Sequence, residues 1–230
     1  MAVDEKTQAA VADIGGYLLT KYGGMGGTLY AANAVSALGA LAGVFAQAQA
    51  RAMLASGALA NSESSLVEAT TTDGQRYYFG DAINACLFEG SRERPSFWNI
   101  AAGAAQDPDI GAKIDIGEIA KHTAEVLGSA DFGAPRIDAR YQLSQMPIDA
   151  VRMHALTLLD RFKQTGVDPA KLMVAFGLVG QGFAAFAAGE MPDNPVTVAM
   201  TRPDIVRLYM ESAIPMSKLD LRALGMVQES

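Results

Sequence analysis

The side chains with the most available chemistry in this chain are two histidines, a single cysteine and an arginine in a long loop. A histidine titrates near neutral pH and works as a general acid or base when a neighbour orients it. His122 follows Glu118 by one helical turn, and at roughly 100° per residue it points about 130° away from the apolar stripe of its helix. That spacing describes a solvated i,i+4 pair before it describes a catalytic one. His154 sits on the flank of another apolar stripe, a boundary position suited to packing and hydrogen bonding, with a general base as the alternative. His154 and His122 are therefore the candidate catalytic residues. Neither stands in a Cys-pair or H-E-x-x-H pattern, so no metal and no cofactor is expected.

Two constellations could bind a ligand. Arg136 lies in the Asp131–Arg140 stretch beside Pro135, and its planar guanidinium matches a carboxylate or phosphate, or ties the loop to an acidic helix. Asp131 shares that loop; its Asp-Phe-Gly context lacks every other element of a kinase site. Tyr77, Tyr78, Asp81 and Asn84 gather aromatic faces and polar groups at a strand-to-helix junction, where hairpin packing and helix capping are the structural alternative. Cys86 has no basic neighbour in sequence to lower its pKa and is expected as a small buried hydrophobe. The glycines around Met25 do not form a nucleotide fingerprint. Leu29 occupies the third glycine position, and the segment before them has helical rather than strand periodicity. They are expected to form a hinge between helices.

The elements that must position these groups are mostly helical. Asp4–Tyr22 carries Val11, Ile14, Leu18 and Tyr22 on one stripe. Residues 28–56 are uncharged until Arg51, and 171–188 are apolar nearly all round. Between them come helices expected over 81–89, 95–106, 115–127 and 148–162, then 201–214 and 217–224. Asp81, Asp115 and Asp168 read as N-caps, the second with Glu118 in capping-box spacing. The Asp73-Gly74 pair predicts an antiparallel hairpin over residues 66–79, with Ala69 opposite Tyr78 if the loop has two residues. Val196, Val198 and Met200 alternate and offer a third strand. Residues 128–147 show no period, and loops of that length are often functional.

The chain is therefore expected to be one mainly α (α+β) domain over residues 1–230, built around two Ala/Gly-rich central helices with a small hairpin or three-stranded sheet. Half of its residues are hydrophobic and 19% are charged, which excludes global disorder. A net charge of −7 argues against binding nucleic acid. One cysteine, with no basic–apolar leader, suggests a cytoplasmic protein. Leu29–Ala48 is long enough to span a membrane and even contains Gly39-x-x-x-Gly43. Its bulk is Ala and Gly, however, and no Lys/Arg cluster flanks it, so burial in a protein core is the favoured reading. The function expected is a cytoplasmic binding or scaffold protein that self-associates, a C2 homodimer being the generic form, and takes a possible small-molecule ligand. The alternatives are an enzyme that anchors a small anionic substrate on Arg136 with a histidine base, and a membrane-associated helical hairpin.

Overall fold

The structure is a computed structural model that describes residues 3–24, 28–191, 193 and 195–227. It is mainly helical, with a small antiparallel hairpin. The helices are α1 (Glu5–Tyr22), α2 (Ala31–Ala55), α3 (Asp81–Leu87), α4 (Phe97–Ala101), α5 (Ile110–Lys113), α6 (Ile116–Glu125), α7 (Pro147–Thr165), α8 (Leu172–Ala187) and α9 (Arg202–Met216). The strands β1 (Val67–Thr70) and β2 (Arg76–Phe79) lie between α2 and α3.

Helix α2 is the axis. Ala, Gly and Leu supply helix propensity without bulk, and of its 25 residues those from Asn33 to Gln47 are all buried. Helices α1, α3, α7, α8 and α9 pack around it. The two small residues of the GxxxG spacing explain its closest neighbour. A methyl placed on Gly39 would collide with the Tyr209 carbonyl, and one on Gly43 with the Ala213 carbonyl. The pair thus seats the backbone of α9 directly against α2, the approach such spacing permits between any two helices. Both apolar helices are long enough to cross a bilayer. The apolar window of α2 is 83% buried and that of residues 169–187 is 61% buried within the fold. Helix α8 packs beside α2, where Phe45 stacks on Phe176 and Phe162 meets both rings edge-on.

The caps follow the sequence in most places. Asp4 accepts from Thr7 N, Asp115 from Glu118 N and Asp168 from Ala170 N. Ser96 and Asn99 form a reciprocal capping box that starts α4 two residues after Pro95. Several expectations are corrected. Asp81 is the first residue of α3 rather than its N-cap: Gly80 holds that place at φ 130°, and the Asp81 carboxylate accepts from Ser64 Oγ instead. The hairpin loop has three residues, because Gly74 adopts φ 85° after a turn closed by Gly74 N–H to Thr71 O. A left-handed glycine after a type I turn makes the bulged hairpin that ranks next to two-residue loops. The register therefore shifts by one, placing Ala69 opposite Tyr77 and Glu68 opposite Tyr78. Among the described residues the sheet stays two-stranded. Val196 instead forms an isolated parallel bridge with Leu29, which also bridges Gly23. Residues 217–224 form turns rather than a helix, and Leu219 bridges Tyr77. Gly26 and Gly27, part of the expected hinge, lie outside the described residues.

Candidate functional site

A cavity of about 420 Å³ lies where five segments meet. Helix α2 contributes Gln49 and Met53, and α3 contributes Ala85 and Cys86. The loop before α4 gives Glu89, Glu93 and Arg94. The start of α1 gives Asp4, and the start of α8 gives Lys171 at its N-cap and Val174 in its first turn. Its floor is apolar and its rim is charged. Gln49 is the polar exception in the floor: its Oε1 accepts from Met173 N at 3.0 Å, satisfying one orphan donor at the start of α8. Its Nε2 lies 3.7 Å from Met53 Sδ. Cys86 is buried, and burial pushes its thiol up to about 12. A thiol held protonated is a small hydrophobe and not a nucleophile at neutral pH.

The rim charges differ in how they are engaged. Lys171 is locked on Asp4 at 2.7 Å, and Asp4 also caps α1. Arg94 donates from Nη1 to the Ala58 carbonyl at 2.7 Å and, among the described residues, meets no carboxylate. Its guanidinium is thus oriented while its charge stays uncompensated.

The candidates drawn from the sequence fall at separate places, and none lines this cavity. His154 is 4% exposed between α1 and α7, with both ring nitrogens engaged. Nε2 is 3.1 Å from Tyr22 Oη and Nδ1 is 2.9 Å from Tyr17 Oη. Tyr22 gives its own proton to Gln145 Oε1 at 2.5 Å. Tyr22 Oη must then accept from His154 Nε2–H, leaving Nδ1 to accept the Tyr17 proton. The hydrogen-bond network therefore assigns the neutral Nε2–H tautomer. Burial lowers the His154 pKa, the nearby Lys21 charge adds to this, and burial raises that of Tyr22.

Arg136 serves two carboxylates. It forks onto Glu118 at 2.6 and 2.9 Å and reaches Glu211 from Nη2 at 3.1 Å and Nε at 3.3 Å. Glu211 is 3% exposed and also meets Arg207 at 3.4 Å. The guanidinium holds the Glu118 carboxyl below its ordinary range, with the half-buried His122 a smaller contributor. This is the tie between the long loop and helices α6 and α9. Asp131 is exposed, and its carbonyl accepts from Ala134 N in the turn before Arg136.

At the strand–helix junction, Tyr78 donates to Glu68 at 2.6 Å and carries the Arg51 guanidinium 4.4 Å over its ring. Tyr77 donates to Gln75 at 2.8 Å and meets Phe132 edge-on. The Asn84 carbonyl accepts from Phe88 N and Glu89 N at the end of α3. These contacts use the groups for packing and capping. The cavity residues were harder to find in the sequence. Gln49 inside an apolar run was one signal, and Cys86 on a short helix was the other. Comparison with protein-family models, with curated proteins and with solved structures finds no match to this chain.

Proposed function

We propose that this protein is a non-catalytic, cytoplasmic binding protein that holds a small, partly apolar ligand in the 420 Å³ cavity and acts as a homodimer. The observation that carries the reading is the cavity itself: an apolar floor of Met53, Leu59, Cys86 and Val174 under a charged rim. Ligand sites commonly combine that kind of wall with a few placed polar groups. Its volume suits a molecule of metabolite size, and Arg94 is the group free to meet an acidic substituent. The absence of catalysis is supported by the placement of the reactive groups. The thiol in the floor is kept protonated, and the histidine with lowered pKa faces two tyrosines away from the cavity. Self-association is supported by Met153 and Leu156, which are 64% and 46% exposed on the outer side of α7.

The test uses the single cysteine as an occupancy reporter. A ligand found by thermal-shift screening raises stability by mass action, and it is expected to slow the labelling of Cys86 by a thiol reagent at about pH 9.5, where a small part of this otherwise protonated thiol is ionised. Replacing Ala85 with Trp fills the cavity and is expected to abolish both effects while the fold persists. A stabilising ligand that leaves Cys86 reactivity unchanged, and still binds the A85W variant, places the site elsewhere and defeats the reading. Mass measurement in solution decides the dimer.

A further inference from the structure

One charged group sits in a place that packing alone does not explain. Of the seven lysines in the chain, Lys113, Lys121, Lys163 and Lys171 pair with carboxylates, and Lys6 and Lys21 are exposed. Lys218 is 4% exposed. Its backbone is fixed in the turn after α9: its N–H donates to Pro215 O at 3.0 Å, and its carbonyl accepts from Tyr78 N at 2.8 Å. Among the described residues, no ion pair or hydrogen bond reaches its Nζ, which lies 5.3 Å from the centroid of the Phe79 ring. A buried unpaired polar atom lies on a side chain bonded to the same turn. Gln47 is fully buried, and its Nε2 donates to the carbonyls of Ser217 and Leu219, both at 3.1 Å, on either side of Lys218. Among the described residues its Oε1 has no partner. Buried polar groups in native proteins are normally paired, and exceptions cluster where a group is needed for chemistry.

We propose that Lys218 is a carbonyl-reactive lysine that captures small aldehydes or ketones as an imine. The nitrogen lone pair attacks the carbonyl carbon, forming the C–N bond as the C=O π pair moves to oxygen. One amine proton passes to that oxygen to give the carbinolamine. The oxygen then leaves as water with the second amine proton, and the C=N bond closes. No oxidant or reductant is consumed. Gln47 keeps an unpaired acceptor, Oε1, on the side chain that holds this turn. The surroundings favour this product over a carbamate from carbon dioxide. A protonated imine is a cation over an aromatic face within the field of Glu89, whereas a carbamate anion there would be repelled.

Burial also supplies the reactive form, pushing the Lys218 pKa down to about 8 against the partial opposition of Glu89. A desolvated lysine is the usual nucleophile for a carbonyl. At pH 7.5 such an amine has a neutral fraction about 200-fold larger than that of an ordinary lysine. Lower basicity and restricted access offset part of that gain. Lys218 does not line the cavity described above, so the capture site stands independently of the ligand reading.

The experiment treats the intact protein at pH 7.5 with acetaldehyde and cyanoborohydride, then follows ethylation of each lysine by peptide mass mapping. Lys218 is expected to react at least about tenfold faster than Lys6 and Lys21, with a rate that rises through pH 8. The same reaction in urea removes the burial, and the preference is expected to vanish. Lys218 reacting no faster than Lys6 and Lys21 in the folded protein overturns the proposal, as does a preference that survives denaturation. Because both arms use the unmodified sequence, the outcome does not depend on how a substitution folds.

Discussion

His154 donates from Nε2 to Tyr22 Oη at 3.1 Å, and the same tyrosine passes its own proton to Gln145 Oε1 at 2.5 Å. Through this chain α7 holds both α1 and the end of the long loop. Replacing Tyr22 with Phe strands a buried N–H and an amide oxygen, and is expected to cost about 1–3 kcal/mol in urea denaturation. The pH dependence follows from the lowered His154 pKa. The unfolded chain takes up the proton first, at its ordinary value near 6.5, so this contribution is complete above that pH. It is lost as the pH falls toward the folded value. The destabilisation caused by His154→Gln is therefore expected to be larger at pH 7.5 than at pH 5.

The contact of Gly43 with the Ala213 carbonyl predicts a sharp contrast among glycines. Gly43→Ala forces α9 off α2 within the buried core and is expected to destabilise by about 1–3 kcal/mol or more. Gly16→Ala meets nothing within 4 Å on α1. Its expected effect is a gain of about 0.5–1 kcal/mol from helix propensity. Denaturant midpoints of the two variants decide whether α2 and α9 touch through backbone.

The same pair of helices shows what was legible in the sequence and what was not. The wrapping of α2 follows from its composition, because an uncharged run of Ala, Gly and Leu has no polar face to give to water. The depth of α9 does not. Arg207 and Glu211 are charged residues one turn apart, yet Glu211 is 3% exposed because Arg136 arrives from 75 residues away. A pairing of that range leaves no local trace. The hairpin was visible in Asp73-Gly74, but its register was not. The turn closes at Thr71, whose Oγ1 accepts from Gln75 N at 3.1 Å, and this lengthens the loop by one residue. The cavity fared worst. Its five segments each show ordinary residues, and only the fold brings Cys86, Arg94 and Lys171 around one space.

Arg136 offers a test of the tie it makes. Replacing it with Met leaves Glu211 buried with the 3.4 Å contact to Arg207 and the backbone N–H of residue 136, also at 3.4 Å, and is expected to cost about 2–3 kcal/mol. Glu118→Gln removes the half-exposed partner and should cost less than about 1 kcal/mol. Combining Arg136→Met with Glu211→Leu removes both buried charges and should recover much of the single-variant loss. A double variant as unstable as the sum of its parts would instead assign the cost to packing. If Arg136 anchored a ligand, its loss would abolish binding, whereas the tie predicts weakened stability with cavity binding retained.

Lys218 carries the reverse sign of most lysines. Its folded pKa of about 8 lies below the ordinary 10.5, so the unfolded chain holds more protons between those values. Stability contributed at this position therefore rises with pH across that window and is penalised below it. At neutral pH the penalty is about 3 kcal/mol, since each tenfold weakening of proton binding is worth about 1.4 kcal/mol. Cys86 and the buried tyrosines act oppositely at high pH, because burial raises their pKa values. The informative quantity is thus the difference between the protein and its Lys218→Met variant, in which those groups cancel. That difference is expected to move in favour of the unmodified protein by about 3 kcal/mol between pH 7.5 and 10.5. A difference flat over this range would mean that the amine keeps its proton in the fold, and the reactive form required for carbonyl capture would be missing.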